Sequence, residues 1–164
     1  MPNFLTRRFA NFLGFFACSA LIGYAFFAQY VQLLEPCPLC WFQRIAFFVL
    51  GVVFLLAALH NPKSTGARVY SVLLAIAALI GIAIAARHIW IQSLPPGSVP
   101  SCGASVGYLL DIMPALDVIK KVFSGSGECQ HIDALLGVSW PWWTAITMTL
   151  LGVWGTAMNW TRKK

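Results

Sequence analysis

Apolar residues run through this chain in four long blocks, about Phe9 to Tyr30, Trp41 to Leu59, Val69 to Ile91 and Ser139 to Met158. A helix rising 1.5 Å per residue needs about 20 apolar residues to cross a hydrocarbon core about 30 Å thick. The pattern therefore predicts an all-α membrane protein, a single four-transmembrane-helix bundle spanning residues 1–164. Its loops would be residues 31–40, 60–68 and 92–138. The third block is rich in small residues, and Gly81 and Ala85 have the spacing that lets helix backbones approach closely, so the spans should pack together.

The long loop has its own pattern. After Pro95, Pro96 and Pro100, the residues Leu109, Leu110, Ile112, Met113, Leu116, Ile119, Val122 and Phe123 recur at helical spacing opposite Asp111, Asp117, Lys120 and Lys121. This predicts a short amphipathic helix lying on the bilayer surface and broken near Pro114.

Composition agrees. The chain is 59% hydrophobic and 10% charged, against about 25% charged in soluble domains, which excludes an ordinary water-soluble fold. Most tryptophans (Trp41, Trp90, Trp140, Trp142, Trp143, Trp160) stand at the ends of apolar blocks, where amphipathic rings favour the headgroup level. The net charge of +6 does not point to nucleic acid, because the basic residues are sorted by position and form no stripe. Arg7, Arg8, Lys63, Arg68, Arg162, Lys163 and Lys164 flank the termini and the second loop, which assigns those segments to the cytoplasm and the other two loops to the outside. The first block is too long for the 7–15-residue core of a cleaved signal, so it is expected to remain as a helix.

This topology puts four of the five cysteines outside: Cys37 and Cys40 in the first outward loop, Cys102 and Cys129 in the second. Thiols facing an oxidising compartment tend to pair. Cys37-Pro38-Leu39-Cys40 closes so short a loop that its disulfide suits exchange better than stapling. Pro38 fits a first helical turn, placing Cys37 near the N-cap and Cys40 near the third helical residue, where the helix end favours thiolates. Four cysteines allow three pairings. A purely structural staple and a metal site are the competing readings, and the unequal spacing disfavours the metal. Cys18, within the first block, is expected to be a packing residue.

Arg44 stands one turn beyond Cys40 on the same face, and an arginine at membrane depth is costly unless it functions. It is a candidate to stabilise a thiolate or a reduced electron acceptor. His88, with Arg87 before it, is a second polar intrusion, able to relay a proton or donate a hydrogen bond to an acceptor carbonyl.

Together these residues resemble the disulfide bond formation protein B (DsbB) family, quinone-dependent thiol oxidases of the bacterial inner membrane. The resemblance covers nearly the whole chain: four spans, Cys37-Pro38-Leu39-Cys40 followed by Gln43-Arg44, a separated pair Cys102 and Cys129, and Leu135-Leu136-Gly137-Val138-Ser139-Trp140-Pro141 entering the last helix. It implies that a reduced periplasmic DsbA-like thioredoxin-fold oxidase attacks a Cys102–Cys129 disulfide, with Cys102 forming the mixed disulfide. The Cys37–Cys40 disulfide then reoxidises that pair. It also implies that ubiquinone, or menaquinone in its place, takes the electrons, with Cys40 nearest the ring and Arg44 and His88 as candidate quinone-binding residues. Vitamin K epoxide reductase-like enzymes are the nearest alternative, but they carry C-x-x-C late, where this chain has no cysteine.

Overall fold

The computed structural model describes residues 6–34, 36–95, 97–98, 111–114, 116–118, 120, 127–132 and 134–161. Four helices carry the fold: α1 (Arg7–Tyr30), α2 (Pro38–His60), α3 (Ser64–Gln92) and α4 (Trp140–Thr161). A one-turn 3-10 helix, Gly127–Gln130, and a minimal hairpin of β1 (Ala134–Leu135) and β2 (Val138–Ser139) precede α4.

The helices outrun the apolar blocks because polar residues cap them. The Thr6 hydroxyl accepts a hydrogen bond from the Phe9 amide at the start of α1 (3.3 Å). Pro38 opens α2, where its missing N–H costs nothing. Asn61, in the left-handed conformation, and then Pro62 end it.

α1, α2 and most of α3 are long and apolar enough to cross a membrane. α4 has the length, at 22 residues, but its threonines and tryptophans make it less apolar. Its hydroxyls are turned inward on the helix itself: Thr147 donates to the Trp143 carbonyl, Thr149 to Ala145 and Thr156 to Gly152. Side chains such as Phe16, Phe48, Leu79, Leu150 and Val153 point outward and are more than 60% exposed. So large an apolar exterior suits lipid rather than water.

α2 packs on α1 and α3, and α3 packs along α4, whereas α1 and α4 touch sparingly. Phe54 of α2, fully buried, explains how the first and last helices meet at one end. A Cβ at Gly14 of α1 would lie 2.6 Å from its ring, and one at Gly155 of α4 2.7 Å, so only glycines admit this wedge. Beside it, Asn11 and Asn159 exchange amide hydrogen bonds of 3.1 and 2.8 Å, and the Arg7 guanidinium donates to the Pro62 carbonyl. Gly81 of the predicted small-residue face packs on Met148 of α4.

Of the expected amphipathic segment, residues 111–112 and 116–118 are helical, with the interruption at Pro114. Val118 is buried and Met113 packs against the core, while Ile112 and Leu116 are exposed. Its remaining positions lie outside the described residues.

Candidate functional site

Cys37 is the N-cap of α2 and Cys40 its third residue, with the Cys40 amide donating to the Cys37 carbonyl (3.0 Å). Their sulfurs lie 3.2 Å apart as free thiols. The two sulfurs face different surroundings. Cys37 is turned inward toward Cys129 and His88, whereas Cys40 lines a cavity between α1, α2 and α4.

Cys129 is fully buried. The 3-10 turn that carries it is held from both sides. Gln130 donates to the Pro95 carbonyl (3.1 Å) and to Ser98 Oγ (3.3 Å) and accepts from the Gly97 amide (3.2 Å), while Gln92 donates to the His131 carbonyl (3.4 Å). Hydrogen bonding from Cys129 lowers the pKa of Cys37, but the bond to Cys40 and burial outweigh it and push the Cys37 thiol up to about 12. Cys102 lies outside the described residues.

The cavity measures about 210 Å³ and is walled mainly by apolar side chains of α1, α2 and α4. Its polar groups are Cys40, Arg44, Gln29, Gln43, Thr144 and Thr147. Arg44 is held at its edge: it donates to Gln29 Oε1 and to the Ala25 carbonyl (3.0 Å) and lies over the rings of Phe26 and Trp41, at 5.1 and 5.0 Å. An arginine so caged presents a fixed positive charge within Coulombic reach of Cys40. Tyr24 and Trp140, 5.6 Å apart, bridge α1 to α4 at the same cavity.

His88 is 2% exposed and does not line the cavity. It sits behind the cysteine pair, with Nε2 3.7 Å from Cys37 Sγ and Nδ1 3.3 Å from Gln43 Nε2. Its side-chain partners are thus Cys37 and Gln43, and Gln43 itself lines the cavity. Arg87 stacks on Trp90 at 4.2 Å, an interfacial arrangement. Cys18 is buried in α1 against Gly51, as a packing residue.

Cys37, His88 and Cys129 bring their ligating atoms within 4.8 Å of one another, and such soft donors hold thiophilic cations when reduced. The same proximity is what sulfur exchange requires, and in an oxidising compartment a disulfide between these sulfurs removes the donors.

Sequence reasoning singled out Cys37, Cys40, Cys102, Cys129, Arg44 and His88, and it passed over Gln29, Thr144 and Gln130, while it took Trp140 only for an interfacial ring and part of the family pattern. Gln29 had a signal, being a polar residue within an apolar run. Thr144 had none, since it reads as an ordinary residue of an interfacial helix. The hairpin was also missed: its turn has Leu136 and Gly137 at φ of 56° and 80°, and leucine is not a usual residue for such a turn.

The profile of the family described as "Disulfide bond formation protein DsbB" matches residues 7–158. Among curated relatives, Disulfide bond formation protein B of Hahella chejuensis is 47% identical over 165 residues, 99% of each chain. That of Nitrosococcus oceani is 47% identical over 91% of this chain and 89% of its own. That of Marinobacter nauticus is 45% identical over 92% and 90%. A helical membrane fold, a cysteine pair at a helix start and a family match over almost the full length together lead to one conclusion: this chain belongs to the DsbB family.

Proposed function

We propose that this membrane disulfide-forming protein takes electrons from a periplasmic DsbA-like thioredoxin-fold oxidase and passes them through two cysteine pairs to ubiquinone. The observation that carries the reading is the division of the C-x-x-C pair, with Cys37 against Cys129 and Cys40 in the cavity beside Arg44. One sulfur of the pair thus meets incoming thiols while the other meets an acceptor.

Exchange begins when the partner's thiolate attacks Cys102 of a Cys102–Cys129 disulfide, leaving Cys129 as a thiolate. Cys129 then attacks Cys37: the Cys37–Cys129 bond forms, the Cys37–Cys40 bond breaks, and Cys40 leaves as a thiolate into the cavity. Arg44 offsets the negative charge left there. The apolar walls exclude water, and they with Cys40 and Arg44 would hold a quinone ring. The partner's second thiol would then release Cys102, which would displace Cys37 from Cys129 and restore the Cys102–Cys129 disulfide. Closure of Cys37 and Cys40 to a disulfide would supply the two electrons and two protons that a quinone held by this cavity would take up as acceptor. At about 210 Å³ the cavity is below the roughly 300–1,000 Å³ of whole small-molecule sites, so it suits a ring head whose tail remains in lipid.

The sorting of basic residues supports the bacterial inner membrane with both termini cytoplasmic and the cysteine loops periplasmic. Family membership brings a quinone acceptor; ubiquinone rather than menaquinone is this reading's specific choice.

The test is quinone bleaching by purified protein in detergent with a reduced DsbA-like dithiol donor, comparing wild type with Cys40→Ser. Bleaching of ubiquinone that vanishes in the variant is expected. Folded wild-type protein that bleaches neither ubiquinone nor menaquinone would overturn the reading, and bleaching of menaquinone alone would overturn the choice of acceptor.

A further inference from the structure

A line of hydrogen bonds crosses the bundle behind the cysteine pair. The Thr144 hydroxyl of α4 donates to Gln43 Oε1 at 3.1 Å and shares its hydrogen with the Trp140 carbonyl at 3.3 Å. Gln43 is 5% exposed on α2, and its amide nitrogen faces His88 Nδ1 at 3.3 Å. On the far side of the ring, His88 Nε2 lies 3.7 Å from Cys37 Sγ, and the Cys129 main chain also bonds this imidazole. Three helices and the 3-10 turn thus converge on one histidine.

With the Gln43 amide oriented as it is here, its oxygen toward Thr144 and its nitrogen toward His88, the donor and acceptor count along this line has one solution. With its carbonyl oxygen taken by Thr144, Gln43 turns its NH2 to the histidine, and an amide NH2 only donates. Nδ1 must then be the bare nitrogen of the ring, and a neutral imidazole carries its hydrogen on Nε2. That hydrogen points at the Cys37 sulfur.

We propose that Gln43, braced by Thr144, fixes His88 as the Nε2-protonated tautomer, so that His88 donates to Cys37 Sγ and holds this sulfur in line for exchange with Cys129. The inference deepens the proposed function and rests on it for the direction of exchange. In that step the Cys37–Cys129 bond forms, the Cys37–Cys40 bond breaks and Cys40 carries away the negative charge, while His88 neither gains nor loses a proton. His88 and Gln43 are positioning residues for Cys37, and the acceptor is left to Cys40 and Arg44.

Two measurements test this. Nitrogen-15 NMR of histidine-labelled protein in detergent, with the His88 signals identified by their absence in His88→Asn, should show Nδ1 bare and Nε2 protonated. In Gln43→Leu this fixed pattern should be lost. A protonated Nδ1 in wild type, or an unchanged pattern in Gln43→Leu, would overturn the proposal. The second measurement is dithiol-driven quinone reduction. His88→Gln keeps an N–H donor near the Nε2 position and should stay within about threefold of wild type, whereas His88→Phe should lose at least about tenfold in kcat with the quinone KM unchanged. A raised quinone KM in His88→Phe, or equal loss in both variants, would refute a donor role toward Cys37. The NMR pattern needs no turnover, so a wild type that reduces no quinone would sink the functional reading while leaving the tautomer assignment to stand or fall by itself.

Discussion

Each functional side chain owes its chemistry to a short list of neighbours. Arg44 is held by Gln29, the Ala25 carbonyl and two rings, which fixes a cation at the cavity that a flexible lysine could not reproduce. Arg44→Leu is expected to raise the quinone KM about tenfold or more, with Arg44→Lys between it and wild type, as read from Michaelis curves at saturating dithiol donor. An unchanged KM would remove Arg44 from the acceptor site. Cys37 gives a pH prediction. With its pKa raised to about 12, Cys37 of the reduced protein stays protonated at neutral pH, and its thiolate fraction grows with every step toward that value. Its alkylation, followed by mass spectrometry, should therefore accelerate about tenfold per unit between roughly pH 7 and 9 without a plateau. A plateau below about pH 8 would mean that the thiol is not raised.

Among the elements, α2 is the one whose function follows most directly from its local chemistry. Proline at its first position and cysteine at its N-cap put two sulfurs at a helix start, one turn from a half-buried arginine. The hairpin before α4 works differently, through its shape. Its turn carries Leu136 and Gly137 at positive φ, Trp143 Nε1 donates to the Leu135 carbonyl at 3.1 Å, and Leu135 reaches the cavity wall. Gly137→Ala should cost about 1 kcal/mol in thermal unfolding of the detergent-solubilised protein, because an L-residue resists that conformation. Loss of quinone affinity should accompany it, since Leu135 would shift. Unchanged stability would show that the turn readily adopts another form.

At the scale of the whole molecule, α1 and α4 are pinned at one end and leave a cavity toward the other. The Asn11–Asn159 pair, 1% exposed on both sides, shares the pinned end with the Phe54 wedge. Asn11→Leu alone strands a buried amide and is expected to cost about 1–3 kcal/mol, while Asn11→Leu with Asn159→Leu should recover part of the loss. Unfolding of the two single variants and the double variant in detergent completes the cycle, and simple additivity would show that the two amides do not depend on each other.

The apolar blocks, the sorted charges and the C-x-x-C spacing are local along the chain, and they alone determined four helices, their expected orientation, the cysteine pair at a helix start and the arginine one turn beyond it. The physical reason is that lipid demands long apolar runs and that a helix start acts on residues next to it in sequence. What only the tertiary structure decided lies between elements distant in sequence. Cys129 meets Cys37 because Gln130 and Gln92 tie the late loop to the end of α3. Gln29, Thr144 and Trp140 join one cavity because α1 and α4 close around it. His88 faces Cys37 rather than that cavity because the rotation of α3 turns it behind α2. Rotation and register of packed helices depend on side-chain fit across the whole bundle, such as Phe54 between two glycines, and no single stretch of sequence contains that information.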